Sequence, residues 1–122
     1  MAGFNVVYPI LDPPFFPTKK KPFVQGVKLD TRDGVTTDTF IAPYDLEFVN
    51  IAIWHSDYDV DDYWDLYVNG EQIVSKCYIK EDIGEGIYWG VAHPVKKGQT
   101  ITLDYVNTGK DKIVKFNYQF LR

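Results

Sequence analysis

The chain has 122 residues, a formal charge of −4 at pH 7 and a pI near 5.0, which is one domain's length and an acidic balance that excludes nucleic acid as a main partner. Val, Ile and Thr number 31 and the aromatics 20, against 11 for Ala, Leu and Met together. Branched and aromatic side chains fit a pleated surface and lose rotamer freedom in helices, so a helical bundle is excluded.

In chain order, Asn5–Ile10 is a short apolar run and a weak candidate for an edge strand. Residues 11–22 hold four of the seven prolines. Proline lacks the ladder donor, so this stretch is an extended arm. Phe23–Leu29 alternates, with Phe23, Val27 and Leu29 on one face; Asp33-Gly34 turns the chain into Val35–Ile41. Leu46–Trp54 is apolar on both faces and predicts a central strand. Tyr63–Val68 and Gln72–Ile79 flank Asn69-Gly70, a hairpin signal because both turn positions must tolerate positive φ. Ile87–His93 follows, then a turn over Pro94 to Gly98, then Thr100–Val106 and Ile113–Leu121. About eight short strands punctuated by turns predict an all-β, antiparallel β-sandwich filling residues 1–122 as one domain.

If the strands alternate in direction, alternate connections gather at one end. The loops around 30–34, 55–62, 80–86 and 107–112 then sum to −6, and the arm with the turns near 42–45, 69–71 and 94–98 to +2. The molecule is expected to be a dipole along its strands.

The acidic loop Asp57-Tyr58-Asp59-Val60-Asp61-Asp62 is the sharpest chemical signal. Calcium takes six to eight hard oxygens, and clustered aspartates supply them. Asp57, Asp59, Asp61 and Asp62 are therefore candidate calcium ligands, set against a plain solvated acidic rim. No EF-hand is present, since the sixth position from Asp57 is Asp62 and the twelfth is Val68. In the arm, Phe15 and Phe16 would leave an apolar patch if uncovered, which predicts an oligomer interface. Lys19, Lys20 and Lys21 form a basic surface beside them, and the pair of features also suits contact with a membrane or cell envelope.

Tyr58, Tyr63, Trp64, Tyr88 and Trp89 lie near the acidic end, where exposed rings could stack on sugars; sandwich cores consume aromatics too. Catalysis reads poorly. By strand parity His55 and His93 fall at opposite ends, and Cys77 sits in mid-strand as a small core residue. No catalytic residue and no obligatory cofactor is assigned. A lone Cys excludes an internal disulfide, and neither a secretory leader nor a transmembrane run is readable.

The stretch Asp61-Asp62-Tyr63-Trp64-Asp65-Leu66-Tyr67-Val68-Asn69-Gly70-Glu71, the segment Tyr88-Trp89-Gly90 and Val95-Lys96-Lys97-Gly98-Gln99-Thr100-Ile101 resemble the XepA/YomS group of Bacillus prophage proteins. The resemblance covers most of the chain through turn-and-strand motifs. It implies a C2-like sandwich, a homo-oligomeric ring of five subunits, and a late role linked to host lysis or export. Residence in the host cytoplasm until then goes with it. The C2 analogy implies calcium loops at one end, matched here by Asp57, Asp59, Asp61 and Asp62. Their spacing departs from the usual C2 pattern, so calcium-dependent lipid binding does not carry over. The alternative is a monomeric calcium- or carbohydrate-binding module that recognises the cell envelope.

Overall fold

The structure, a computed structural model, describes residues 17–80 and 85–122, with backbone alone for residues 85 and 88–91. Eight strands follow in order: β1 (Pro22–Thr31), β2 (Gly34–Ile41), β3 (Leu46–His55), β4 (Tyr63–Val68), β5 (Glu71–Tyr78), β6 (Glu85–Val95), β7 (Thr100–Asn107) and β8 (Lys112–Leu121). They form two antiparallel four-stranded sheets, sheet A in the order β1-β8-β3-β6 and sheet B in the order β2-β7-β4-β5. Among the described residues no helix is long and apolar enough to cross a membrane.

This connectivity is a chain folded double. β4 pairs with β5, β3 with β6, β2 with β7 and β1 with β8, and the resulting ribbon wraps so that successive pairs fall in alternate sheets. It is the strand order of a two-Greek-key jelly roll. The fold point is Asn69-Gly70, where φ is 49° and 85°. Both residues are in the left-handed region that a tight two-residue hairpin requires.

β1, β2, β4, β7 and β8 alternate between a more buried and a more exposed face, as the strand period of two demands. The inner faces of β7 and β8 contribute Ile101, Leu103, Tyr105, Val114, Phe116, Tyr118 and Phe120 to the core. Phe40 stacks on Phe120 across the sheets with ring centroids 5.2 Å apart, and Phe48 tilts against Phe120 from the neighbouring strand at 5.3 Å. Burying a side chain of this size stabilises the fold by about 1.5–3 kcal/mol. Tyr118 reaches from β8 to donate its hydroxyl to Asp38 Oδ2 on β2 at 2.9 Å, tying sheet A to the edge of sheet B. Burial pushes the Tyr118 phenol pKa up, and the Asp38 charge pushes it further.

Two local features depart from the sequence reading. β3 is central as expected, between β8 and β6, but it carries a bulge between Phe48 and Asn50. The bulge lets Phe48, Ile51 and Ile53 all face inward although their spacing is odd. β6 runs on through Pro94 to Val95 instead of turning there. It is an edge strand, and an edge tolerates the missing proline donor. The weak strand at Asn5–Ile10 lies outside the described residues.

Candidate functional site

Strand alternation gathers β1–β2, β3–β4, β5–β6 and β7–β8 at one end. Hydrogen bonds stitch the described parts of these connections together: Thr31 Oγ1 donates to Lys112 O at 3.0 Å, and Asn107 Nδ2 to Thr31 Oγ1 at 3.1 Å. The acidic loop sits here, as parity predicts.

Its aspartates do not converge on a common centre. Asp62 is fully buried and turned inward to a lysine on another strand. The Lys112 ammonium, at the start of β8, pairs with both Asp62 Oδ2 and Asp59 Oδ2. Tyr105 donates its hydroxyl to Asp62 Oδ2 at 2.9 Å, and Thr108 donates both N–H and hydroxyl to Oδ1 at 2.7 Å. Burial opposes the Asp62 charge, but these donors outweigh it and hold the carboxyl below its usual range. Burial likewise works against the Lys112 cation, and the two carboxylates more than reverse it, raising its pKa. Burial and the bond to Asp62 both raise the Tyr105 phenol.

An internal ammonium thus stands where a divalent cation was expected. Asp59 packs against Gly109 so closely that a Cβ there would overlap its carboxylate. Asp57 makes an exposed pair with Lys110 at 3.7 Å, and Asp61 is exposed. Among the described residues no three Asp, Glu, His or Cys side chains gather as a metal-holding group. The four residues Asp57, Asp59, Asp61 and Asp62 do not fit calcium as a set.

His55 is buried beside this cluster, with Nδ1 2.7 Å from Asp57 O and Nε2 3.2 Å from Lys80 O. Both ring nitrogens face carbonyls, so the ring braces two loops. His93 lies opposite Phe48, seven residues back along β3, or about 23 Å away. No shared metal or catalytic pair joins them. Of the rings weighed between core and sugar stacking, Trp64 is fully buried in the core and Tyr58 is exposed; the side chains of Tyr88 and Trp89 are outside the described residues. Cys77 is half-buried against the core.

At the opposite end, Glu47 was missed by sequence reasoning. It is buried on β3 and accepts from Thr18 N at 2.9 Å, Lys19 N at 2.8 Å and Thr18 Oγ1 at 3.0 Å. Burial opposes its charge, but these bonds and the Lys19 ammonium bring its pKa below the usual value. Glu47 clamps the segment entering β1. Lys20 and Lys21 line a shallow notch with Tyr44, Asp45 and Arg122, so the basic surface lies at this end. Phe15 and Phe16 fall outside the described residues.

The outer face of sheet B carries an apolar row. Register places Val35 opposite Val106, Val106 opposite Tyr63, and Tyr63 opposite Tyr78, so the row crosses all four strands. Val35 is 63% and Tyr78 52% exposed, and Val60 in the preceding loop is 68% exposed. The Tyr63 and Tyr78 rings lie 5.4 Å apart.

A family model described as a domain of unknown function, DUF8551, matches residues 19–122. The chain belongs to the DUF8551 family. No curated protein matches this DUF8551 chain. Two solved structures of infectious bursal disease virus, of the Gt and Gx strains, are similar at 10% and 8% identity, each with a TM-score of 0.31. They cover 90% and 86% of the DUF8551 chain, which in turn spans 43% of each viral chain.

Proposed function

We propose that this DUF8551 protein acts by association and not by catalysis, and that it self-assembles through the apolar row on sheet B. The observation that carries the reading is that row. Val35, Val106, Tyr63 and Tyr78 form a continuous band across four strands, ending in two largely exposed side chains, and such a patch on a folded domain marks an interface. A second copy is the occupant that the charge distribution favours. The acidic and basic connections lie at opposite ends, so neighbouring copies gain by setting unlike ends close, and a heterologous contact of this kind makes a ring when its rotation closes. His55 supports a non-catalytic role, since its buried ring is held between the Asp57 and Lys80 carbonyls.

The resemblance to the XepA/YomS group supplies the rest of the reading: a C2-like domain, a ring of five, prophage origin and a late role linked to host lysis or export from the host cytoplasm. Light scattering tests the assembly. The expected mass is a multiple of 14.1 kDa, five-fold for the ring, unchanged by a calcium chelator because Asp59 and Asp62 are already paired with Lys112. Val35→Lys with Tyr78→Lys is expected to give folded monomers. A parent protein that is monomeric at all concentrations overturns the proposal.

A further inference from the structure

The outer face of sheet A differs from that of sheet B. Register aligns Gly26 with Asn117, Asn117 with Ala52, and Ala52 with Gly86, one residue from each strand. This row is the floor of a groove of about 380 Å³ walled by Trp54 and Lys115, and crossing three interstrand gaps makes it about 14 Å long. Neither glycine is required by the fold. Both have ordinary φ; a Cβ at Gly26 would meet nothing, and one at Gly86 only Ile51 O at 3.7 Å. Glycine inside a strand weakens it, and where the backbone does not demand it, it commonly leaves room for something approaching closely.

The walls specify what approaches. Trp54 is 46% exposed and offers a flat indole, with Lys115 Nζ 5.4 Å from the ring centroid. Lys28 stands directly opposite Lys115. Like charges so placed repel, and neither lysine forms an ion pair with a described residue. On the other side of the floor, Asn50 Nδ2 donates to Gln119 Oε1 at 2.9 Å, and Gln119 Nε2 to Asn117 Oδ1 at 2.8 Å. That chain of amides orients Asn117, whose Nδ2 donor meets no acceptor among the described residues and lies beside the groove. An aromatic platform, a row of amides and two cations without a carboxylate partner among the described residues, along one narrow trough, are complementary to a chain of rings that carries hydroxyls and negative charge.

We infer that this groove binds an anionic oligosaccharide laid across sheet A, with one sugar face on Trp54, hydroxyls on the Asn117 amide and acidic groups against Lys28 and Lys115. The site is independent of the assembly reading, which uses sheet B. Calorimetry and ¹H–¹⁵N spectra of the full chain test it, with an oligogalacturonate and a heparin-derived oligosaccharide as carboxylate and sulfate probes and a cello-oligosaccharide of equal length as the neutral control.

Saturable binding of at least one acidic probe is expected, with shifts at the Asn117 side-chain amide and the Trp54 indole. Trp54→Ala is expected to weaken it by about tenfold or more, and Lys115→Met to weaken it and flatten its salt dependence. Gly26→Val fills the trough where the structure has room for the side chain, so it is expected to abolish binding while the urea midpoint holds. Failure of both acidic probes at millimolar concentration overturns the proposal. So does equal binding of the neutral control, or undiminished binding by Trp54→Ala and Gly26→Val.

Discussion

Replacing Lys112 by Met would test how the acidic end is held together. Methionine has nearly the volume and length of the lysine stem, so the substitution removes a charge without opening a cavity. Both the Lys112 and the Asp62 side chains are inaccessible to solvent, while Asp59 keeps 32% of its side-chain surface exposed. The variant therefore leaves one carboxylate stranded inside and lets the other turn to water. Removing one partner of a buried pair costs about 3–5 kcal/mol. Asp62 retains its three bonds from Tyr105 and Thr108, which puts the expectation at the low end, about 3 kcal/mol. With urea slopes of about 1–3 kcal/mol per molar, that is a midpoint loss of at least about 1 M at unchanged slope.

Adding Asp62→Asn to Lys112→Met removes the stranded charge and is expected to restore at least half of the loss. The pH profile gives a further check. Because the folded Asp62 carboxyl lies below its ordinary 3.8, its contribution is present above that value and disappears as pH falls through the folded one. Lys112 is raised above 10.5, so its contribution is intact below 10.5 and lost as pH rises beyond it. Lys112→Met should flatten both limbs. A loss under about 0.5 kcal/mol, the size of an ordinary surface change, would refute the reasoning, as would a double variant no better than the single.

Glu47→Gln should loosen the clamp on Thr18 and Lys19, seen as faster tryptic cleavage after Lys19 or Lys20 with little change in global stability; unchanged cleavage would count against the clamp. Tyr118→Phe leaves Asp38 without its phenol donor, and chemical denaturation should register a loss of about 1.5–3 kcal/mol, the usual worth of a hydrogen bond to a charged group. Gly70→Ala places a side chain at φ 85° and is expected to cost about 1–2 kcal/mol by thermal melting. A neutral result there would mean that the Asn69-Gly70 turn does not set the hairpin.

The readable parts of this fold were those encoded locally. Alternation marked the strands within a residue or two of where they lie, and Asn69-Gly70 announced its turn because positive φ is a property of those residues themselves. Parity then placed the acidic loop and its neighbouring connections at one end without knowledge of the strand order. What was hidden depends on residues far apart in the chain. Asp62 looks like its neighbours Asp59 and Asp61, and only Lys112, fifty positions on, decides that it is buried. Glu47 sits in an apolar strand where a charge looks misplaced until Thr18 and Lys19 fold back onto it. The groove on sheet A needs the register of four strands at once, and neither Gly26 nor Gly86 marks it alone.

Folding the chain double at Asn69-Gly70 also orders events during synthesis. β1 and β3 have no ladder between them; both pair with β8, which spans Lys112–Leu121 and is made well after them. In sheet B, β2 and β4 likewise meet only through β7. A ribosome that has delivered the first half has therefore made four strands with no native partner among themselves. The β4–β5 hairpin can close first, because its loop is shortest. In sheet A the β3–β6 pair can follow, but β1 has no ladder partner until β8 is made and inserts between β1 and β3. Until then, the first-made strands offer unpaired edges and an apolar face to any neighbour, and a growing chain of this topology relies on speed of completion or on a holding chaperone to reach its native pairing.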